Sequence, residues 1–554
     1  MGGASLDIMP SFRSLRGNLS SAIFPFVSDF QGRTIIIPQF DSNYDRQLNT
    51  GADPDKDKGV PQIFYMHNCM PTEAGVQSIG YELKCAAKIS PAVTDFDQFL
   101  ILRDTSENKA LYAPAAGQNY VFTGVSNAWT SVSPLAAGAV SSNALITVAY
   151  IHKRTLVYYE KLACYEYDFI AGVFNVVAFA GLVATAIRGI ASAVGYTIAF
   201  DDTTIYWSST VTETDFVPSL VTGAGSQIPN DVKGRIISVL PIPNGFMIYS
   251  TKNVVSAFFS GNVRFPWVFR EVTNSAGVNA PENIAWQANL AFQYAWTTAG
   301  LMKVDKSGAE LFQPAASDFI SARVFEDFDE IAKTFLTTYA TSDFKTKLAL
   351  IGSRYLVLSY GLSSLTHAVI YDTVLRRWGK IRIPHVDCFE WPAPNFFGTR
   401  TYAQLTPNTY SQLAGNSYIQ LSMQQQITVS VRRDICFLQQ NGTVQSINFD
   451  VGNDTASGVL LIGKYQFVRT NLVRLLATEL ENSTPTQTLA HTWFSAFDGK
   501  KFGTTTTPFK MPVVSGSLAS RYQGEVTARN HSLAVTGGFN LASFQLEFTI
   551  EGTL

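Results

Sequence analysis

Six histidines and five cysteines are the side chains of this 554-residue chain best suited to metal or nucleophilic chemistry. Two places bring them close in sequence. His67-Asn68-Cys69 and His385-Val386-Asp387-Cys388 each offer an imidazole and a thiol to a soft metal, but neither has the second pair of ligands that closes a tetrahedral site. Both are therefore expected to be satisfied loop or core residues. The thiols, Cys69, Cys85, Cys164, Cys388 and Cys436, are odd in number and contain no CxxC pair, which suits a reducing compartment and not a disulfide framework.

The carboxylates are read the same way. Asp53, Asp55 and Asp57 have the spacing of a calcium loop, yet glycine falls at the seventh place instead of the sixth, and Phe64 stands where a bidentate glutamate belongs. Asp201-Asp202 and the acids of Glu326–Glu330 could form a glycosidase pair only on a common floor, and they read as turns and a solvated face. The glycine-rich stretch Thr222–Ser226 is followed by Ile228-Pro229 and not by the helix a phosphate cradle needs. No GxSxG elbow, HExxH, Walker loop or GxGxxG lies in a fitting context. The expectation is a protein without catalytic, cofactor-binding or metal-site residues, and so not an enzyme.

The elements around these residues are strands. Arg354–Tyr360, Ala368–Tyr371 and the alternation Lys380–Ile383 are β-branched and aromatic runs separated by polar turns, one of them at Asp372-Thr373. Similar pairs recur: Tyr196–Phe200 with Thr204–Ser208, Gly245–Ser250 with Asn253–Phe258, Ala291–Thr297 with Gly300–Val304, and Asp434–Leu438 with Val444–Phe449. A spacing of about 45 to 70 residues per unit fits blades with insertions and no strict repeat. Radial sheets bury only their faces, so each blade needs large wedges such as Trp207 and Trp378. The predicted fold class is all-β. It comprises an N-terminal docking arm over 1–95, a β-propeller with insertions over 96–450 and a C-terminal β-sandwich over 451–554. Only Phe325–Phe335 reads as a helix.

Charged residues make up 15% of the chain against about 25% in ordinary soluble domains, while aromatics reach 13%. Extensive β burial combined with large subunit interfaces accounts for both. A net charge of −2 supplies no global basic field for nucleic acid. Phe169–Ile187 is uncharged and long enough to cross a bilayer, but Gly172, Asn175 and Gly181 interrupt it. Two buried strands joined by a turn are expected there instead, without stable membrane insertion. The N-terminus lacks the layout of a secretory signal, and Met1-Gly2 followed by Ser5 only partly matches a myristoylation site.

Four segments, taken together, resemble the nozzle or tail tubular proteins of short-tailed bacteriophages. They are Asn68–Tyr81, Ile205–Ser209 running on to Thr214–Ser219, Tyr371–Lys380 and Arg529–Gly538. The resemblance implies a virion tail hub, assembled in the host bacterial cytoplasm as a homohexameric ring. Such a hub closes the tail, abuts a head-to-tail adaptor ring, carries tail fibres or spikes and lets double-stranded DNA pass transiently during genome ejection. It transfers no catalytic residues. The alternative from a different class is a propeller that binds or hydrolyses carbohydrate.

Overall fold

Runs such as Val254-Val-Ser-Ala-Phe-Phe259 place β-branched and aromatic side chains on both faces of a strand, which stabilises them only if a sheet is covered on each side. A ring of blades meets that demand. The computed structural model describes residues 19–25, 63–311, 344–391, 435–449 and 458–553, with breaks inside these spans. Among the described residues there is no α-helix, and the protein is all-β. The wedge expected from the side chain of Trp378, the helix at Phe325–Phe335 and the aspartates 53, 55 and 57 lie outside what is described.

Seven four-stranded antiparallel blades follow one another among the described residues. Six are continuous in sequence. The first runs from Leu100–Arg103 to Thr130–Val132, the second from Ile146–Ile151 to Val173–Val177 and the third from Gly189–Ala193 to Gly225–Gln227. The fourth runs from Ile236–Ile242 to Trp267–Thr273, the fifth from Ile284–Ala285 to Ala309–Leu311 and the sixth from Phe344–Ile351 to Arg377–His385. The seventh holds Asp387–Glu390, Ile435–Leu438 and Val444–Asn448, and its outer strand is Gly80–Cys85 from the other end of the chain.

Apolar side chains fill the spaces between blades. Trp207 wedges between the third and fourth, packed with Tyr196, Phe246 and Trp267, and its indole N–H donates to the carbonyl of Gly223 at 2.7 Å. The seam between the seventh and first blades gathers Phe96, Tyr120, Phe122, Trp129, Phe389, Cys436 and Leu438. There Trp129 donates to the Gly442 carbonyl at 2.6 Å, Phe96 N–H to the Gln440 carbonyl at 3.1 Å, and the rings of Phe99 and Phe389 stack at 3.5 Å.

The chain outside the ring forms two further sheets. One orders Ile63–His67, Gly458–Tyr465, Asn530–Gly537 and Ala490–Ala496. The other continues the sixth blade through Cys69–Pro71, Val76–Ser78, Asn540–Thr553, Asn471–Asn482 and Ala519–Ala528, with Leu19–Pro25 added to Asn540–Thr553. Within the stretch 1–95, the described strands are shared between the ring and the sheets built from 451–554. A ring of sheets needs its last blade tied to the first by a distant segment, and Gly80–Cys85 supplies the tie. Phe169–Ile187 differs from expectation. It holds one strand, Val173–Val177, a bridge from Ala180 to Asp215 and a 3₁₀ turn at Ala184–Ala186, with Val176 and Val183 exposed. No helix among the described residues is long and apolar enough to cross a membrane.

Because Trp129 is almost wholly buried and hydrogen-bonded across the closing seam, Trp129→Ala is expected to lower unfolding stability by about 3–5 kcal/mol in denaturant titration, and Trp129→Phe by less. A loss below about 1 kcal/mol would mean that this seam does not hold the ring.

Candidate functional site

The feature that the fold builds is the ring itself, so the residues joining one blade to the next are the first candidates for function. Polar links run between neighbouring blades. Thr147 Oγ1 accepts from Ile190 N–H at 2.8 Å, Thr155 Oγ1 from Arg103 N–H at 2.9 Å, and Thr346 donates to Asn283 Oδ1 at 2.7 Å. Glu390 accepts from Gly352 N–H at 2.9 Å, and Gln287 donates to the Leu350 carbonyl at 3.1 Å. Asp387 joins three blades, accepting from Phe99 N–H at 2.8 Å and pairing with Lys347 Nζ at 2.8 Å. Each link satisfies groups that a blade end would otherwise bury unpaired.

The residues singled out for chemistry are placed as follows. His385 is buried: Nδ1 lies 2.7 Å from the Ile383 carbonyl, Nε2 lies 2.7 Å from Ser359 Oγ, and the ring meets Phe437 edge-on. With Nδ1–H donated to the carbonyl, Nε2 accepts from the serine hydroxyl, so both ring nitrogens are used. Burial lowers its pKa from 6.5 to about 4. Cys388 sits in the core between the sixth and seventh blades, where burial first and Asp387 second raise its thiol well above the ordinary range. Burial likewise raises Cys85 and Cys164 to about 12. All five cysteines are buried. Asn68 has a positive φ of 52° and accepts on its side chain from Tyr81 and from Arg382 N–H, both at 3.0 Å. Among the described residues no three histidine, cysteine or acidic side chains group as metal ligands would.

Asp201 forms a turn, accepting from Thr203 and Thr204 N–H at 2.7 Å each and from Tyr206 at 2.8 Å. Burial raises its carboxyl, but those hydrogen bonds together outweigh it and hold it below the usual value. Asp202 is exposed and reaches Arg188 at 3.3 Å. The stretch Thr222–Ser226 is a turn leading into the strand Gly225–Gln227, not a cradle before a helix.

One pattern escaped the sequence reading. The last residue of the third strand is aspartate in the second, fifth and sixth blades: Asp168, Asp305 and Asp372. Each carboxylate accepts backbone N–H groups two and three residues on, at 2.7–3.0 Å. These side chains fix the turn into the outer strand. The signal was available as Tyr167-Asp168, Val304-Asp305 and Tyr371-Asp372, each closing an apolar strand.

No family model matches the chain, and no curated protein matches it in sequence. Among solved structures it is similar to the WD40 β-propeller domain of Doa1, at 10% identity, covering 67% of this chain and 97% of that one with a TM-score of 0.37. It is similar also to YCF48 bound to D1 peptide, at 10% identity over 64% and 93% of the two chains with a TM-score of 0.34. The N-terminal domain of Nup159 matches at 9% identity over 68% and 97% with a TM-score of 0.32. These likenesses concern the fold alone.

The burial of His385 sets an expected acid response. Its folded pKa lies below its unfolded one, so its contribution is intact above pH 6.5. As pH falls towards 4 the unfolded chain takes up the proton first, and stability drops by roughly 1.4 kcal/mol per pH unit from this group. Stability curves measured from pH 7 to 4 should flatten over that window in His385→Asn. The same slope in the variant would assign the acid sensitivity to other groups.

Proposed function

We propose that this chain is the nozzle or tubular hub of a short-tailed phage tail, a structural conduit through which the genome leaves the particle. The observation that carries the reading is where the segments resembling that family meet. Lys380, closing the segment Tyr371–Lys380, pairs with Cys69 of the segment Asn68–Tyr81. The strand Asn530–Gly537 of the segment Arg529–Gly538 pairs with Gly458–Tyr465, which in turn pairs with Ile63–His67. Three of the four segments thus gather where the propeller joins the other sheets, the place on which a hub of two fused parts depends. The charge-poor, aromatic-rich composition supports the same reading, because large subunit interfaces deplete charge and enrich aromatics.

In this reading six copies form a ring that abuts a head-to-tail adaptor and carries fibres or spikes. DNA crossing such a hub must not stick. Every phosphate neutralised by lysine or arginine adds a salt-sensitive binding term, and a chain of net charge −2 is suited to leave the passage neutral to acidic. The purified protein is expected to bind linear duplex DNA only weakly at physiological salt, and to occur as six copies in a ring in tail particles by native mass spectrometry and negative-stain imaging. Nanomolar, steeply salt-dependent DNA affinity would overturn the non-sticking passage. A monomer inside intact particles, or saturable glycan binding by a monomer, would overturn the hub.

A further inference from the structure

Among the described residues, the outer strand of the second blade, Val173–Val177, is a β-edge without protection. Among the described residues it pairs only with Ala163–Asp168. An open edge invites another strand, and proteins blunt such edges with charge, brevity, bulges or a cover. The other blades do so. Gly80–Cys85 carries Glu82 and Lys84, and Trp267–Thr273 carries Arg270 and Glu271 and a register shift in its pairing. Thr130–Val132, Gly225–Gln227 and Ala309–Leu311 have three residues each, and Arg377–His385 is covered by Cys69–Pro71. Among the described residues Val173-Phe-Asn-Val-Val177 shows none of these devices, and Asn175 and Val176 on it are exposed.

An apolar surface adjoins this edge. The loop after it is bound to the long loop of the third blade, Ala180 N–H donating to the Thr214 carbonyl and Phe216 N–H to the Ala180 carbonyl at 2.9 and 2.8 Å. A buried Glu213 holds that loop down through His152 and Arg154 of the second blade. Ile170 (98% exposed), Val176, Val183, Val211, Val217 and Val221 (91%) stand out from these two blades.

The charge pattern identifies the occupant. Residues 169–187 and 216–230 carry no charged side chain. In a two-fold contact each residue near the axis faces its own copy, so a charge there meets a like charge and is repelled. A different partner would be oriented by complementary charge at this place, and the strand with the loop that follows it, residues 169–187, offers none. We propose that the occupant is a second copy of this chain, joined by antiparallel pairing of the two Val173–Val177 strands about Asn175. In that register Asn175 meets Asn175 of the second copy, and Phe174 meets Val176 of the second copy. Two blades become one eight-stranded sheet, and the apolar loops close over the join.

The contact concerns the outer rim of the ring and is independent of the conduit. A six-fold ring closes by head-to-tail contacts, whereas this one is two-fold and self-complementary, so the two readings fail separately. The test uses the purified full-length chain. Sedimentation velocity at micromolar concentration should give a dimer, and Val176→Lys should give a monomer with an unchanged circular dichroism spectrum and melting temperature. Since the five native cysteines are buried, Asn175→Cys should oxidise to a covalent dimer through its single exposed thiol. A monomeric parent chain, a dimer that persists in Val176→Lys, or a dimer that Asn175→Cys does not cross-link would each overturn the proposal.

Discussion

Everything in this protein hangs on one pairing between distant parts of the chain, the strand Gly80–Cys85 laid on Val444–Asn448. A propeller is a row of sheets that must be bent into a circle, and each blade is stabilised only by the neighbours on its two faces. The end blades of an open row would leave one face in water. By giving the seventh blade an outer strand from near the N-terminus, the chain ties the end of the ring to its beginning. The seam cluster around Trp129 and the Asp387 link to Phe99 then become possible.

The same N-terminal segment makes the second connection. Just before Gly80–Cys85, the strands Cys69–Pro71 and Val76–Ser78 bridge the sixth blade to Asn540–Thr553. The bridge to the blade rests on a single register pair, Lys380 with Cys69. It is possible because position 379 is glycine: a Cβ there would lie 2.6 Å from Met70 Sδ and 2.8 Å from the Cys69 carbonyl. Ring closure and the attachment of the outer sheets are therefore carried by one continuous stretch of about twenty residues, 63–85, which explains why it cannot act as a free arm.

What could be read from the sequence was what is local. The pairs of Tyr196–Phe200 with Ile205–Trp207, Gly245–Ser250 with Val254–Phe259 and Phe292–Thr297 with Gly300–Asp305 appear nearly as the alternation of side chains indicates, because a short turn fixes a hairpin's partner. The wedge at Trp207 was legible for the same reason, an aromatic closing a strand beside a turn. Ring closure was not, since nothing in Gly-Tyr-Glu-Leu-Lys-Cys says that its partner lies more than 350 residues away. The buried fate of His385 and Cys388 followed from the missing second ligand pair, whereas the contact with Ser359 across the blade had no sequence signal. The recurring aspartates were visible letter by letter, but insertions of different length hid their period. In Phe169–Ile187 an apolar run was read as buried, while the outermost strand of a blade has no sheet beyond it to bury its edge.

Closure by distant ends also has a temporal side. A ribosome reaches residue 448 only after more than 350 residues beyond Cys85, on the order of tens of seconds at the usual rates of synthesis. Through that interval the six blades already made have nothing to lock against, and the Gly80–Cys85 strand waits with its hydrogen-bonding edge unsatisfied. Long-range pairing of this kind is slow to find even in a finished chain. The nascent protein thus spends its longest phase as an open arc, and its yield in a cell depends on what shields that strand until the circle can shut.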